Sequence, residues 1–371
     1  MDANPPLGVV LHTIGGLASA VFYLPYRKVR HWAWESFWLA GGIFSWIIAP
    51  WIFAWFAIPD LFTVLREAPT RSLVWSYICG ALWGIGGLSF GLTVRYLGLA
   101  LGTAMALGYC AAFGTLFLPI LRGQFGEIVG ERSGQIVLAG VAVCLVGIVI
   151  SGLAGMAKER EQPAAEKKAA IKEFNFVKGF WVATFCGILS ACMSYGFDMG
   201  KPIAEIAHKH GASLLWQNLA VLVVVLAGGF TTNFIWCMAL NARNRSGADY
   251  FSLWKKTSQS DSTAQPQRVP IITNYLFCAA AGTTWYLQFF FYSMGASKMG
   301  RFGFSSWSLH MASIIIFGTL VGAYLSEWKG ASQRTLRLVF LGLTLLVGSL
   351  IVIGYGNYVE VNHPKPVAHL Q

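Results

Sequence analysis

Gly134-Gln-Ile-Val-Leu-Ala-Gly-Val-Ala-Val-Cys-Leu-Val-Gly-Ile-Val-Ile-Ser-Gly-Leu-Ala154 carries no charge and is bounded by Arg132 on one side and Lys158 on the other. A run of roughly 20 such residues is the length of helix that crosses the hydrocarbon core of a bilayer. The same pattern recurs on both sides of it. Apolar runs between charge clusters fall at about 7–25, 37–58, 72–94, 99–120, 134–154, 179–200, 213–240, 271–296, 302–325 and 335–356. The predicted fold class is an all-α integral membrane protein with ten transmembrane helices.

Composition agrees. The 371 residues are 56% hydrophobic and only 12% charged, about half the charged share of a soluble domain. The formal net charge of +11 raises nucleic acid as a partner, but the Lys and Arg lie in short clusters between apolar runs, so no nucleic-acid role is expected. The lipid bilayer is the partner this surface predicts. All seven cysteines fall in or at the edge of apolar runs and none forms a CxxC pair, which predicts buried, reduced, structural thiols. No Lys or Arg precedes the first run, so it reads as a retained helix and not as a cleaved signal.

Two polar segments interrupt the pattern, Lys158 to Lys178 and Asn241 to Pro270. The first divides the spans five and five. It predicts a first five-helix repeat over 1–156, a charged linker over 157–178, a second five-helix repeat over 179–358 with a polar loop at 241–270, and a polar tail over 359–371. The halves share short strings: Gly16-Leu-Ala-Ser-Ala20 with Gly187-Ile-Leu-Ser-Ala191, and Gly80-x-x-Trp83 with Gly282-x-x-Trp285. An odd number of spans per half makes the second copy enter the membrane in the opposite sense. That is a 5+5 inverted-topology repeat, an arrangement that places a site near the midplane and suits alternating access. The loops after odd-numbered spans hold 18 of the 27 Lys and Arg, so the positive-inside rule puts them in the cytoplasm and both termini outside.

Several polar residues stand inside apolar runs, where they usually mark an ion or substrate path. His12 is either a proton carrier or sugar partner, or a neutral imidazole bonded to a nearby carbonyl. Asp198 is either a proton-coupling carboxylate or one half of a local ion pair with Lys201 three residues on. Trp285, Gln288 and Tyr292 share one helical face, and an indole beside an amide suits a sugar, whose C–H face stacks on the ring while its hydroxyls bond the amide. An aromatic packing stripe is the alternative, and the adjacent Tyr286 is taken with the binding set. Trp307 and His310 make another aromatic–titratable pair at i, i+3, open to proton coupling or to local satisfaction. Trp83, flanked by glycines, gains weight from its repeat partner Trp285. Glu35 and Glu327 fall at span ends where water is expected; each is a coupling acid or a solvated anchor, and Glu35 stays among the proton candidates.

The chain shows no P-loop, no His/Glu zinc pattern and no Gly-x-Ser-x-Gly. The expectation is a gradient-driven secondary transporter and not an enzyme, with no metal and no cofactor beyond a coupling ion. A transporter of another metabolite and a non-transporting membrane sensor are the alternatives.

Longer strings carry a resemblance. His12-Thr-Ile-Gly-Gly-Leu-Ala-Ser-Ala20, Phe22-Tyr-Leu-Pro-Tyr-Arg-Lys-Val29, Trp34-Glu-Ser-Phe-Trp38, Gly42-Ile-Phe-Ser-Trp-Ile-Ile-Ala-Pro-Trp51, Gly91-Leu-Thr-Val-Arg-Tyr-Leu-Gly98, Trp285-Tyr-Leu-Gln-Phe-Phe-Phe-Tyr292 and Ser308-Leu-His-Met311 resemble the L-rhamnose/proton symporter family of the drug/metabolite transporter superfamily. The resemblance implies ten helices and uptake of L-rhamnose, a 6-deoxyhexose, with a proton across the bacterial inner membrane. Two departures stand out. Gly300-Arg-Phe-Gly-Phe-Ser305 lacks the acidic residue of the family pattern, and Asp198 stands where that pattern is amide-like.

Overall fold

The computed structural model describes residues 3–161, 175–255 and 267–362. Each apolar run contains one long helix. They are α1 (Pro5–Val21), α2 (Trp34–Ala57), α3 (Thr70–Leu97), α4 (Leu99–Leu121), α5 (Arg132–Glu161), α6 (Phe176–Met199), α7 (Leu219–Asn244), α8 (Ile271–Ala296), α9 (Ser306–Tyr324) and α10 (Gln333–Asn362). Nine of them are long and apolar enough to cross a membrane; α8 is long enough but too rich in polar and aromatic residues to meet that measure. The outward surface is apolar, with Ile272 78% and Phe340 73% exposed. A soluble protein would hide such a surface, so the chain is a multi-pass membrane protein.

Local chemistry sets the helix ends. Asn4 Oδ1 accepts the Leu7 N–H at 3.1 Å ahead of Pro5, and Asn175 Oδ1 accepts the Lys178 N–H at 3.0 Å ahead of α6, so each caps a first turn that has no intrahelical partners. Gly98, at φ +82°, reverses the chain directly from α3 into α4. Pro50 has no N–H to give the Trp46 carbonyl, and α2 widens into a π turn over Phe44–Ile48 just before it.

The helices pair in a regular way. α1 packs on α8 and α9, α6 packs on α3 and α4, α2 packs on α8, α7 packs on α3, and α5 lies along α10. Glycines permit the closest approaches. A Cβ on Gly80 would run into the Val225 carbonyl oxygen of α7, and a Cβ on Gly282 into the Gly41 carbonyl oxygen of α2.

The polar segments hold some regular structure. α5 continues to Glu161 and α6 starts at Phe176, while residues 162–174 of the charged linker lie outside the described residues. Of the loop at 241–270, α7 takes the first residues, Gly247–Tyr250 form a 3-10 turn, and Trp254–Lys255 pair antiparallel with Gln267–Arg268; 256–266 lie outside the described residues. α10 reaches Asn362, and 363–371 of the tail lie outside as well. Both ends of the described chain meet the α8–α9 turn: the Asn4 N–H donates to the Lys298 carbonyl at 2.9 Å, and Glu360 pairs with Arg301 at 3.8 Å.

Candidate functional site

A cavity of about 630 Å³ lies within the helix bundle, lined by residues from α2, α3, α4, α6, α7, α8 and α9. Its walls are indoles. Trp83 and Trp285 face each other with ring centroids 5.6 Å apart, Trp46 meets Trp285 edge-on at 5.5 Å, and Trp34 stacks on Trp38 at 5.4 Å. Packing of this kind fixes ring orientations, because each indole loses rotamer freedom to its neighbours. The polar groups are few: the Gln288 and Asn233 amides and the Ser190 hydroxyl. Asn233 is held by Trp38, whose Nε1–H donates to Asn233 Oδ1 at 3.2 Å, and by its own donation to the Gly229 carbonyl at 2.9 Å.

Trp83, Trp285 and Gln288 line this cavity, as do Trp34, Trp38, Trp46 and Asn233, which the sequence reading did not single out. Two members of the expected binding set lie elsewhere. Tyr286 is fully buried on the other side of α8 against Phe53 and Phe290, at centroid distances of 5.3 and 6.0 Å. It follows Trp285 by one residue, about 100° around the helix, and so cannot share its face. His12 is fully buried, packed on Tyr292, and is not part of the cavity wall.

The cavity mouth is framed by Phe22 after α1, Trp34 at the start of α2, Gly91 near the end of α3 and Trp236 near the end of α7. The opposite end is closed by ion pairs. Asp198 of α6 accepts from Arg122 Nη1 of α4 at 3.0 Å, also bonds Arg122 Nη2, and contacts Lys201 Nζ at 2.6 Å. Arg301 reaches Glu127 at 3.3 Å, Glu131 and Glu360, and His210 meets Glu67 at 2.8 Å. Beneath the Asp198 cluster sits a smaller vestibule of about 250 Å³, lined among others by Arg122, Asn218, Ser194 and Tyr292. Tyr292 and Trp307, with centroids 5.5 Å apart, stand between the vestibule and the cavity.

Glu35 departs from its expected place. It is 4% exposed and not solvated, because Asn244 Nδ2 and Ser246 Oγ donate to its Oε1. Asp249 does the same work beside it, accepting from the Ala33 N–H at 2.7 Å and from Ser36 Oγ at 3.0 Å. These two carboxylates tie the loop after α7 to the start of α2 at the mouth end. All seven cysteines are free and buried, and among the described residues no cluster of His, Cys, Asp and Glu could hold a metal ion.

A many-helix membrane protein with an aromatic cavity at its centre, open at one end and ion-paired at the other, has the architecture of a small-molecule carrier. A sequence profile of the L-rhamnose-proton symport protein (RhaT) family matches residues 1–359. The chain is 37% identical over 353 residues to an L-rhamnose-proton symporter of Cronobacter sakazakii (strain ATCC BAA-894), covering 94% of this chain and 97% of that relative. It is 36% identical over 352 residues, with the same coverage, to L-rhamnose-proton symporters of Yersinia pestis and Yersinia pseudotuberculosis. The chain belongs to the L-rhamnose-proton symport protein family.

Proposed function

We propose that this protein imports L-rhamnose together with a proton by alternating access in the bacterial inner membrane. The observation that carries the reading is the indole-walled cavity with its two amides, in a chain whose relatives are named as rhamnose-proton symporters. A 6-deoxyhexose offers a methyl group and C–H faces to Trp83 and Trp285, and hydroxyls to Gln288 and Asn233. A titratable group inside the helices takes the proton; Asp198, His12, His310 and Glu35 are the candidates. Glu35 is the weakest of these, being occupied in a hydrogen-bonded cap.

Alternating access calls for two related halves, and the packing supports ten spans in a 5+5 inverted repeat. Moving every helix number on by five, cyclically, turns the α1–α8 pairing into α6–α3, α1–α9 into α6–α4 and α2–α8 into α7–α3, and leaves α5–α10 unchanged. Gly80 and Gly282, repeat partners by sequence, make equivalent backbone approaches on α3–α7 and α8–α2. In this reading α8 is the tenth span, its polarity explained by Gln288 and the rings that face the cavity. The mouth lies at the end where the basic loops after odd-numbered helices emerge, so the cavity faces the cytoplasm and both termini lie outside.

The test is uptake of labelled L-rhamnose into proteoliposomes under an inward proton gradient, with and without protonophore and with competing deoxy sugars. Accumulation that collapses with the protonophore is expected. Exchange without accumulation would replace the proton by another driving ion, and no rhamnose signal would overturn the substrate.

A further inference from the structure

His12 and His310 are fully buried, and neither ring nitrogen of either residue has a hydrogen-bond partner among the described residues. A neutral imidazole carries one donor and one acceptor, and leaving such groups unmade in a water-poor interior costs about 1–3 kcal/mol each. An apolar side chain at either position would carry no such penalty. The two residues come from opposite halves of the chain, α1 and α9, yet both rest on one ring. Tyr292 of α8 lies 5.2 Å from His12 and 5.2 Å from His310, centroid to centroid, at angles of 53° and 60°.

Taking an imidazolium out of water is costly, and the groups placed to offset that cost here are aromatic rings. Besides Tyr292, His310 lies 5.9 Å from Phe289 and 6.1 Å from Trp307, and aromatic faces at such distances attract a positive charge, most strongly where water is excluded. Two imidazolium ions over one ring in a low-dielectric interior repel each other, so the pair accommodates one. The other titratable groups around it are Tyr292 on α8, Cys110 on α4, Cys144 on α5 and Asp198 on α6. The carboxylates are already engaged: Asp198 by Arg122 and Lys201, and Glu360 of the adjacent α10 by Arg301.

We propose that His12 and His310 form one proton site, shared across Tyr292 and set between the closed-end vestibule and the sugar cavity; this rests on the symport reading above. Tyr292 lines the vestibule, while Phe289 and Trp307 touch His310 and line the cavity. A proton therefore enters from the vestibule side, sits on one imidazole, and acts on the sugar through the two rings that both sites share. Linkage makes the effect mutual: a proton that tightens rhamnose binding is itself held more tightly when rhamnose is bound. Asp198 becomes a latch at the closed end and not the carrier.

His12→Asn and His310→Asn, each with a Gln counterpart, test this in proteoliposomes and in detergent. Each folded variant is expected to exchange labelled rhamnose across the membrane with no gradient, yet to lose at least tenfold in proton-driven accumulation. The unaltered protein, followed with a pH-indicator dye, is expected to take up no more than one proton when rhamnose binds, and that uptake is expected to vanish in the His variants. Histidine variants that still accumulate rhamnose, or two protons taken up by the unaltered protein, would overturn the shared site. Rhamnose-linked proton uptake that persists in the His variants and vanishes in Asp198→Asn would move the carrier to Asp198. Absence of rhamnose exchange in the unaltered protein would instead sink the symport reading itself.

Discussion

At the residue scale, the cavity is mostly apolar surface with a few fixed polar groups, so each polar group carries a large share of the recognition. Gln288, 5% exposed, is expected to bond a sugar hydroxyl that has no water to turn to once the cavity closes. Gln288→Leu leaves that hydroxyl unpaired, a loss of about 1–3 kcal/mol, or roughly fivefold to 150-fold in affinity, measurable by tryptophan-fluorescence titration with rhamnose. A change below threefold would remove Gln288 from the site. Trp285 and Gln288 were legible in the sequence because residues three apart on a helix share a face. Trp46 and Asn233 were not, because what brings them to the same wall is the packing of α2 and α7 against α8 and α3. The same limit hid half of the Asp198 cluster: Lys201, three residues on, was visible as a partner, but Arg122 comes from α4. Asp198→Asn leaves Arg122 and Lys201 facing each other without an anion and should lower the thermal midpoint in detergent. The penalty should lie between the ~1 kcal/mol of an exposed pair and the ~3 kcal/mol of a buried one. Arg122→Gln should cost less than Asp198→Asn, because Lys201 still pairs with Asp198, and an Arg122→Gln variant with an unchanged midpoint would count against the pair as a latch.

At the element scale, the apolar runs fixed the position of every long helix but not its ends. The run at 134–154 became Arg132–Glu161, and the run at 335–356 became Gln333–Asn362. Hydropathy stops where the hydrocarbon stops, while the helix continues because its backbone ladder does not depend on lipid. Conversely, α8 is the helix that hydropathy undervalues: its Trp285, Gln288 and Tyr292 face protein and cavity, so lipid never selected them. Glycines decide how close neighbouring helices come. At Gly80 and Gly282 the obstruction is a backbone carbonyl, which cannot rotate away as a side chain could. Gly80→Ala and Gly282→Ala should therefore each destabilise the fold by about 1–3 kcal/mol, read as a lower thermal midpoint in detergent. Because the two positions make equivalent approaches, their penalties should be similar. A large loss at one with none at the other would argue against the repeat.

At the scale of the whole molecule, the two ends of the bundle differ in kind. One end holds Asp198 between Arg122 and Lys201, Arg301 among three glutamates, and His210 on Glu67; the other opens into the cavity past Trp34 and Trp236. In the proposed alternating-access cycle, an arrangement closed by charge pairs at one end and open at the other is one of two states, and the partner state breaks those pairs. In the orientation proposed from the positive-inside rule, the open end is cytoplasmic. Gly87 reports on this directly, since it lines the cavity and a Cβ built there meets nothing within 4 Å. A thiol introduced as Gly87→Cys should therefore be tolerated without repacking. In inside-out vesicles, a membrane-impermeant thiol reagent should label it rapidly, and rhamnose should slow that labelling by filling the space in front of Trp83 and Trp285. In right-side-out vesicles, labelling should be at least tenfold slower, because the reagent meets the Asp198 cluster and the Tyr292–Trp307 contact first. Asp198→Asn in the same background should raise the outer labelling rate by loosening the closed end. Labelling that is fast from the outside and slow from the inside would invert the orientation. Equal rates from both sides in the parent protein would mean that the ion pairs do not hold the closed end shut.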